Sequence, residues 1–197
     1  MARGIIFKNN GINELSDSPT GYKYLGYDDE SLSEKNGATV SSIGGGFVHY
    51  LGEDFGGGII YHLYKGSDGL EHGLIVSKTE STAVWQATGT LTGADRTEDG
   101  AYNTGLMTLS DAESYVTGLG AGWYLPSIDE LSLLWHNRFH ANAALRAGAF
   151  TLLSSTALYW SSTETTTIDA FLFRFANGYM NDFAKNSIRT VRAIRSF

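Results

Sequence analysis

The chain closes on "FANGYMNDFAKNSIRTVRAIRSF", residues 175–197, and how this stretch divides decides the fold. Asn177-Gly178 is the strongest short signal for a β-hairpin, because both residues tolerate the positive φ of a tight turn. Before it, Phe171, Phe173 and Phe175 alternate with Leu172, Arg174 and Ala176; after it, Tyr179, Asn181 and Phe183 alternate with Met180, Asp182 and Ala184. That period of two predicts a strand on each side of the turn. In "TVRAIRSF", Val191 and Ala193 fall on one side and Ile194 on the other, which predicts a closing strand covered on both faces. Arg189, Arg192 and Arg195 need not form a binding patch, since arginine stems pack on apolar surface while their heads reach a sheet rim or a carboxylate. The last residues are thus expected as scaffold, and the ribbon before them as displayed surface.

Upstream, Ile59, Tyr61 and Leu63 alternate with Ile60, His62 and Tyr64, the turn Gly66-Ser67-Asp68-Gly69 follows, and Leu74, Ile75 and Val76 return. This predicts a hairpin buried on both faces. Ser110 with Glu113, and Ser127 with Glu130, are S-x-x-E capping boxes and mark two helix starts. After Pro126, the residues Ile128, Leu131, Leu134 and Trp135 recur at helical spacing, so the second helix reaches about Arg138, and "ANAALRAG" adds a turn or two before Gly148. Residues 1–46 are polar, carry scattered tyrosines and end in Gly44-Gly45-Gly46; they read as a short β-rich or extended arm, or else a small attachment module. The expected division is 1–46 and 47–197, with an α+β architecture in the second part.

Composition limits the function. Hydrophobic residues are 42% and aromatics 13% of 197 residues, enough for one good core. A formal net charge of −7 disfavours nucleic acid and anionic membranes. With no cysteine, disulfides, thiolate metal sites and cysteine nucleophiles are all absent. No run approaches the ~20 apolar residues of a membrane span, and "MARGIIFKNNG" is not a secretory signal, so membrane insertion is not expected. The 24 glycines against two prolines suit long turns between short strands.

In order along the chain, "GGGIIYHLY…HGLIVS", "GWYLPSIDELSLLW", "YWSSTE" and "VRAIRSF" resemble a family of C-type-lectin-like domains found in bacterial surface proteins and phage virion proteins. The family is related to the formylglycine-generating-enzyme fold, and the resemblance covers residues 55–197. It implies paired terminal strands, here "IRTVRAIRSF" with "GIIYHLY", two flanking helices and a displayed segment carrying the ligand surface. Some relatives are receptor-binding proteins diversified by retroelements, with changes between a "YWSST"-like block and the terminal strand. Adenine mutagenesis of AAC-type codons cannot yield Met, Trp, Gln, Glu or Lys, and residues 165–184 avoid these five except at Met180. The stretch "GYKYLGYDDESLSEKNGATVSSIGG", residues 21–45, more loosely resembles leaders of structural proteins from phages of gut bacteria.

Catalytic readings fail on the residues. His136 and His140 in "HNRFH" are spaced as in H-E-x-x-H, but Asn137 stands where the glutamate base belongs. The hydroxyls of "LLSST" and "YWSSTETTT" lack a nucleophile elbow and are expected on a solvated strand face. The E-P-N and W-N-D calcium motifs of animal lectins are missing, and the cysteines of formylglycine generation are absent. No catalytic residue, metal or cofactor is therefore expected. Trp123, Trp135 and Trp160 are expected in the core. The expectation is a non-enzymatic phage fibre or tail-tip protein on the virion surface, binding a host glycan or protein through Glu164, Thr166, Asp169, Tyr179, Met180, Asn181, Asp182 and Phe183. Residues 1–46 would join it to other virion proteins, and a homo-oligomer such as a trimer is implied by analogy. The alternative is a structural decoration or fibre component, with the same aromatics buried against a partner.

Overall fold

The computed structural model describes residues 47–197 throughout and, before them, the backbone of five strands: β1 (Ile5–Lys8), β2 (Gly11–Glu14), β3 (Lys23–Asp28), β4 (Ser31–Asn36) and β5 (Thr39–Ser42). The chain divides into two units, Met1–Val48 and His49–Phe197, two residues past the expected boundary. In the first unit the strands form one antiparallel sheet in the order β2-β1-β3-β4-β5. Gly44-Gly45-Gly46, expected to end the arm, lie outside the described residues.

The second unit is α+β. It contains β6 (Asp54–Phe55), β7 (Gly58–Lys65), β8 (Glu71–Ser77), β9 (Ser81–Val84), α1 (Gly100–Leu106), α2 (Asp111–Thr117), α3 (Ile128–His136) and α4 (Arg138–Ala147), then β10 (Leu158–Glu164), β11 (Asp169–Arg174), β12 (Tyr179–Ala184), β13 (Ile188–Val191) and β14 (Ile194–Ser196). One sheet runs β14-β8-β7-β6 and the other β12-β11-β10-β13-β9. No helix among the described residues is long and apolar enough to cross a membrane.

Apolar alternation on both sides of a strand requires cover on both sides. In β7, Ile59 and Tyr61 enter a core with α3 and α4, while Ile60 enters a second core with α2. The other sheet divides the same way, with Tyr159 and Phe173 on the first side and Trp160 and Leu172 on the second. Each sheet is therefore a wall shared by both cores.

Two expectations about the closing stretch are corrected. It is not one strand, because β13 belongs to one sheet and β14 to the other. Nor does it pair with "GIIYHLY": β14 runs antiparallel to β8, Ile194 opposite Val76, and β8 separates it from β7. The change of sheet at Arg192-Ala193 is fixed by hydrogen bonds from Ser77 N to Ala193 O (2.9 Å) and, in both directions, between Tyr124 and Ile194 (2.9 and 3.0 Å). These partners come from distant parts of the chain, so the local pattern cannot reveal the break.

The two expected helices are four. Asp99 caps α1 through Tyr102 N, and Asn137 divides the long helix into α3 and α4. Ser110 caps α2 at Glu113 N, whereas Ser127 and Glu130 form the full reciprocal box at α3. Glu130 also accepts from Gly100 N (3.2 Å) and Tyr124 Oη (2.8 Å), tying α1, α3 and the 120s loop together. Burial pushes its carboxyl above the usual range despite these donors. Glu130→Ala is expected to destabilise by about 3 kcal/mol, combining a lost cap with stranded buried donors. Glu130→Gln should cost less, and it should remove a stability contribution that is full below the ordinary carboxyl pKa and is lost as pH rises through the raised one. Urea unfolding at several pH values reads both effects.

The "YWSSTE" hydroxyls also depart from expectation. Ser161, Ser162 and Thr163 are buried, not solvated, at a register shift between Trp160 and Glu164. Ser161 Oγ donates to Phe171 O, Thr163 Oγ1 donates to Arg96 O and accepts from Ile128 N, and Asn103 Nδ2 donates to Ser162 Oγ. A bulged strand needs such partners for the loops packed on it.

Candidate binding surface

The hairpin β11–β12 pairs Asp169 with Ala184 through Arg174 with Tyr179. Its loop is the four residues Phe175–Gly178, longer than the two-residue turn that Asn-Gly suggests, and closed by Gly178 N to Arg174 O at 2.9 Å. Gly178 has φ +75°, and a Cβ there would lie 2.9 Å from the Trp135 ring. Glycine is needed both for the backbone and for this close approach. Trp135 Nε1 donates to Phe175 O at 3.0 Å, so the hairpin tip is held on α3.

β12 is the outer strand of its sheet, and every side chain from Tyr179 to Phe183 is exposed. Tyr179, Met180 and Phe183 are 63%, 50% and 38% accessible, large values for apolar groups on a regular strand. Opposite partners place Met180 and Asp182 on the Phe173 face, and Asn181 and Phe183 on the Leu172 face. Arg189 lies over the Phe183 ring at 4.3 Å, adding a cation to that face. Ile168 and Ile188 are also exposed nearby in sequence.

The other three sequence candidates behave differently. Thr166 and Asp169 shape the β10–β11 turn: Thr166 Oγ1 donates to Asp169 Oδ2 (3.2 Å) and accepts from Ile168 N and Asp169 N. Glu164 is withdrawn as a contact residue, because it is buried and ion-paired with buried Lys185. Its carboxylate also accepts from Thr92 N and Gly93 N, while Lys185 Nζ donates to Thr90 O and Thr167 O. Burial pushes the Glu164 carboxyl up, but the Lys185 hydrogen bond and the two amides outweigh it and hold it below the usual range. The pair fastens the 90s loop, the 165–168 turn and the root of β12 to one another.

Among the tryptophans, Trp123 and Trp160 are buried, as is Trp85, but Trp135 is only half-buried beneath the hairpin tip. His136 and His140 fall on different helices, with His136 Nδ1 donating to Ser132 O at 2.7 Å. His62 and His72 flank Tyr64 in a stacked ladder, 5.8 and 5.5 Å between centroids, and His72 meets Asp68 at 3.0 Å. The closing arginines divide three ways. Arg189 covers Phe183, Arg192 is buried against Glu80 at 3.1 Å, and Arg195 bonds Gly56 O beside Trp123.

Two clefts flank the ribbon. One of about 210 Å³ lies at its root, lined by Gln86, Gly89, Ile168, Ala184 and Asn186. The other, about 410 Å³, lies beyond its tip between α4 and Phe175.

No protein-family model matches this sequence, and no curated protein does. Among solved structures, the chain is similar to a fimbrial protein from Bacteroides ovatus ATCC 8483, with TM-score 0.54 and 17% identity. The match covers 80% of this chain and 47% of that protein, so the chain spans about half its length. At that identity the likeness concerns the fold alone.

Proposed function

We propose that this is a non-enzymatic binding module of C-type-lectin-like fold, displayed on a virion fibre or tail tip, whose β12 ribbon contacts a host surface glycan or protein. The observation that carries the reading is an outer strand presenting Tyr179, Met180 and Phe183 to solvent on a braced frame. Monomers seldom leave such apolar groups together on a regular element without a partner for them. The order of the sequence blocks supports the fold assignment, and the likeness to a fimbrial protein is in keeping with a surface role. The sheet of the first unit would anchor the module to other particle proteins, in a symmetric oligomer such as a trimer. Many copies would make weak single contacts sufficient, even at Kd ~1 mM.

The test is a Tyr179→Ala/Phe183→Ala variant of the full chain. We expect attachment to host cells to fall at least tenfold while oligomer mass and unfolding midpoint stay unchanged. Unchanged attachment would refute the reading.

A second reading is favoured by the edge itself. β12 carries no proline and only one charge, Asp182, so little protects its free edge from pairing with another strand. On that reading the ribbon is an assembly surface of a structural component. The same variant separates the two, because particles or oligomers would then fail to form.

A further inference from the structure

The cleft beyond the ribbon tip is chemically unlike the rest of the chain. Its charged lining residues are Arg138 and Arg146, joined by His136, and no carboxylate faces it. In a sequence of net charge −7, no Asp or Glu occurs anywhere from Leu131 to Thr163. α4 also opens without a side-chain cap or an acidic residue, so its first turn bears Arg138 where a helix ordinarily favours negative charge. Arg138 stacks on Trp135 at 4.1 Å and uses one N–H on Trp135 O. Among the described residues the rest of its fork has no acceptor, and Arg146 has no side-chain partner at all. Beside them Phe139 is 76% exposed, and Ser155 offers a hydroxyl.

We infer that this cleft is a second binding site, for a carboxylate-bearing sugar of the uronic-acid type within an oligosaccharide. An arginine fork matches a carboxylate in plane, at two points and with opposite charge, and a neutral sugar's hydroxyls lack that charge and planar match. A pyranose presents one C–H face to an exposed ring such as Phe139 and hydroxyls to neighbours such as Ser155. The volume of about 410 Å³ is of small-ligand size. Arg138 and Arg146 are eight residues apart, about 12 Å of helical rise, so they meet different parts of the chain of sugars. The overall negative charge disfavours densely charged polyanions and leaves sparsely charged glycans as the fitting class.

The test measures the full chain by calorimetry against a glucuronate-containing tetrasaccharide and its carboxyl-reduced, uncharged counterpart. The charged form should bind with an affinity that weakens with added salt, and the reduced form at least tenfold more weakly. Arg146→Gln, an exposed helix position, should lose at least tenfold with an unchanged unfolding midpoint, and Phe139→Ala several-fold. Arg138→Lys, which keeps the charge but not the fork, should lose affinity too. The ribbon variant Tyr179→Ala/Phe183→Ala should keep it, so failure here is distinct from failure of the ribbon reading. Equal binding of the two sugars, unchanged affinity in Arg146→Gln, or loss in the ribbon variant would overturn the inference.

Discussion

Lys185→Met is expected to destabilise the protein by about 3–5 kcal/mol at neutral pH, because it strands a buried carboxylate. Lys185 and Glu164 have side chains 1% and 2% accessible, so neither charge can turn to water when its partner is removed. The loss is more than one ion pair: Thr90 O and Thr167 O lose their donor as well. Glu164→Gln in the same chain should restore roughly half, since a neutral amide carbonyl still accepts from the Thr92 or Gly93 amide. The wild-type carboxyl lies below its ordinary value, so its contribution is present above the ordinary pKa and disappears as pH falls through the depressed one. In Lys185→Met that carboxyl loses its cation and is relieved by protonation. The gap between the two proteins should therefore narrow from pH 7 towards pH 3, as read by denaturant midpoints. Hydrogen exchange should rise first around residues 86–93 and 165–168 and at the β12 root. A uniform gap at all pH values would mean that the charge is not the cause.

That network shows where sequence reading stops. Glu164 and Lys185 are 21 residues apart, each in a polar neighbourhood, and nothing local distinguishes a buried charge from a solvated one. Both hairpins and the Ser127 box were legible because they rest on short-range rules: alternation, turn residues and the i, i+3 cap. α1 was not, since "GAYNTGL" has no apolar stripe; it buries Gly100, Asn103 and Thr104 and is held by hydrogen bonds to distant carbonyls. Asp99 as N-cap was the one local hint. "YWSST" misled for the opposite reason. Hydroxyls alternating in a strand usually face water, but here a register shift turns them towards loops that need their bonds. In the ribbon, the exposed aromatics beside Asn177-Gly178 were legible from alternation and the turn signal, whereas the arginine over Phe183 comes from a strand three sheet positions away, which no local pattern shows.

Arg192 marks the point where the closing stretch leaves one sheet for the other, and Arg192→Met is expected to destabilise the whole second unit by about 3–5 kcal/mol. The guanidinium is fully buried, donating to Glu80 Oε2 at 3.1 Å and to Thr151 O at 2.9 Å. Tyr159 Oη donates to the same Glu80 oxygen at 2.8 Å and accepts from Ser154 N at 2.9 Å. One planar fork thus joins the segment after β8 to the segment after α4, and Glu80 extends the link to the core strand β10 through Tyr159. Lysine carries all its donors on one nitrogen and cannot occupy the separate positions from which Nη1 meets Glu80 and Nη2 meets Thr151 O, so Arg192→Lys should recover only part of the loss. Glu80 is the more accessible partner, its side chain 19% exposed, and water can reach what it leaves behind; Glu80→Gln should cost less than Arg192→Met. Unlike Lys185→Met, the arginine variant should raise hydrogen exchange in both sheets together, because the shared crossover is what couples them. Exchange confined to residues 150–160 would show that Arg192 merely fills space beside the loop.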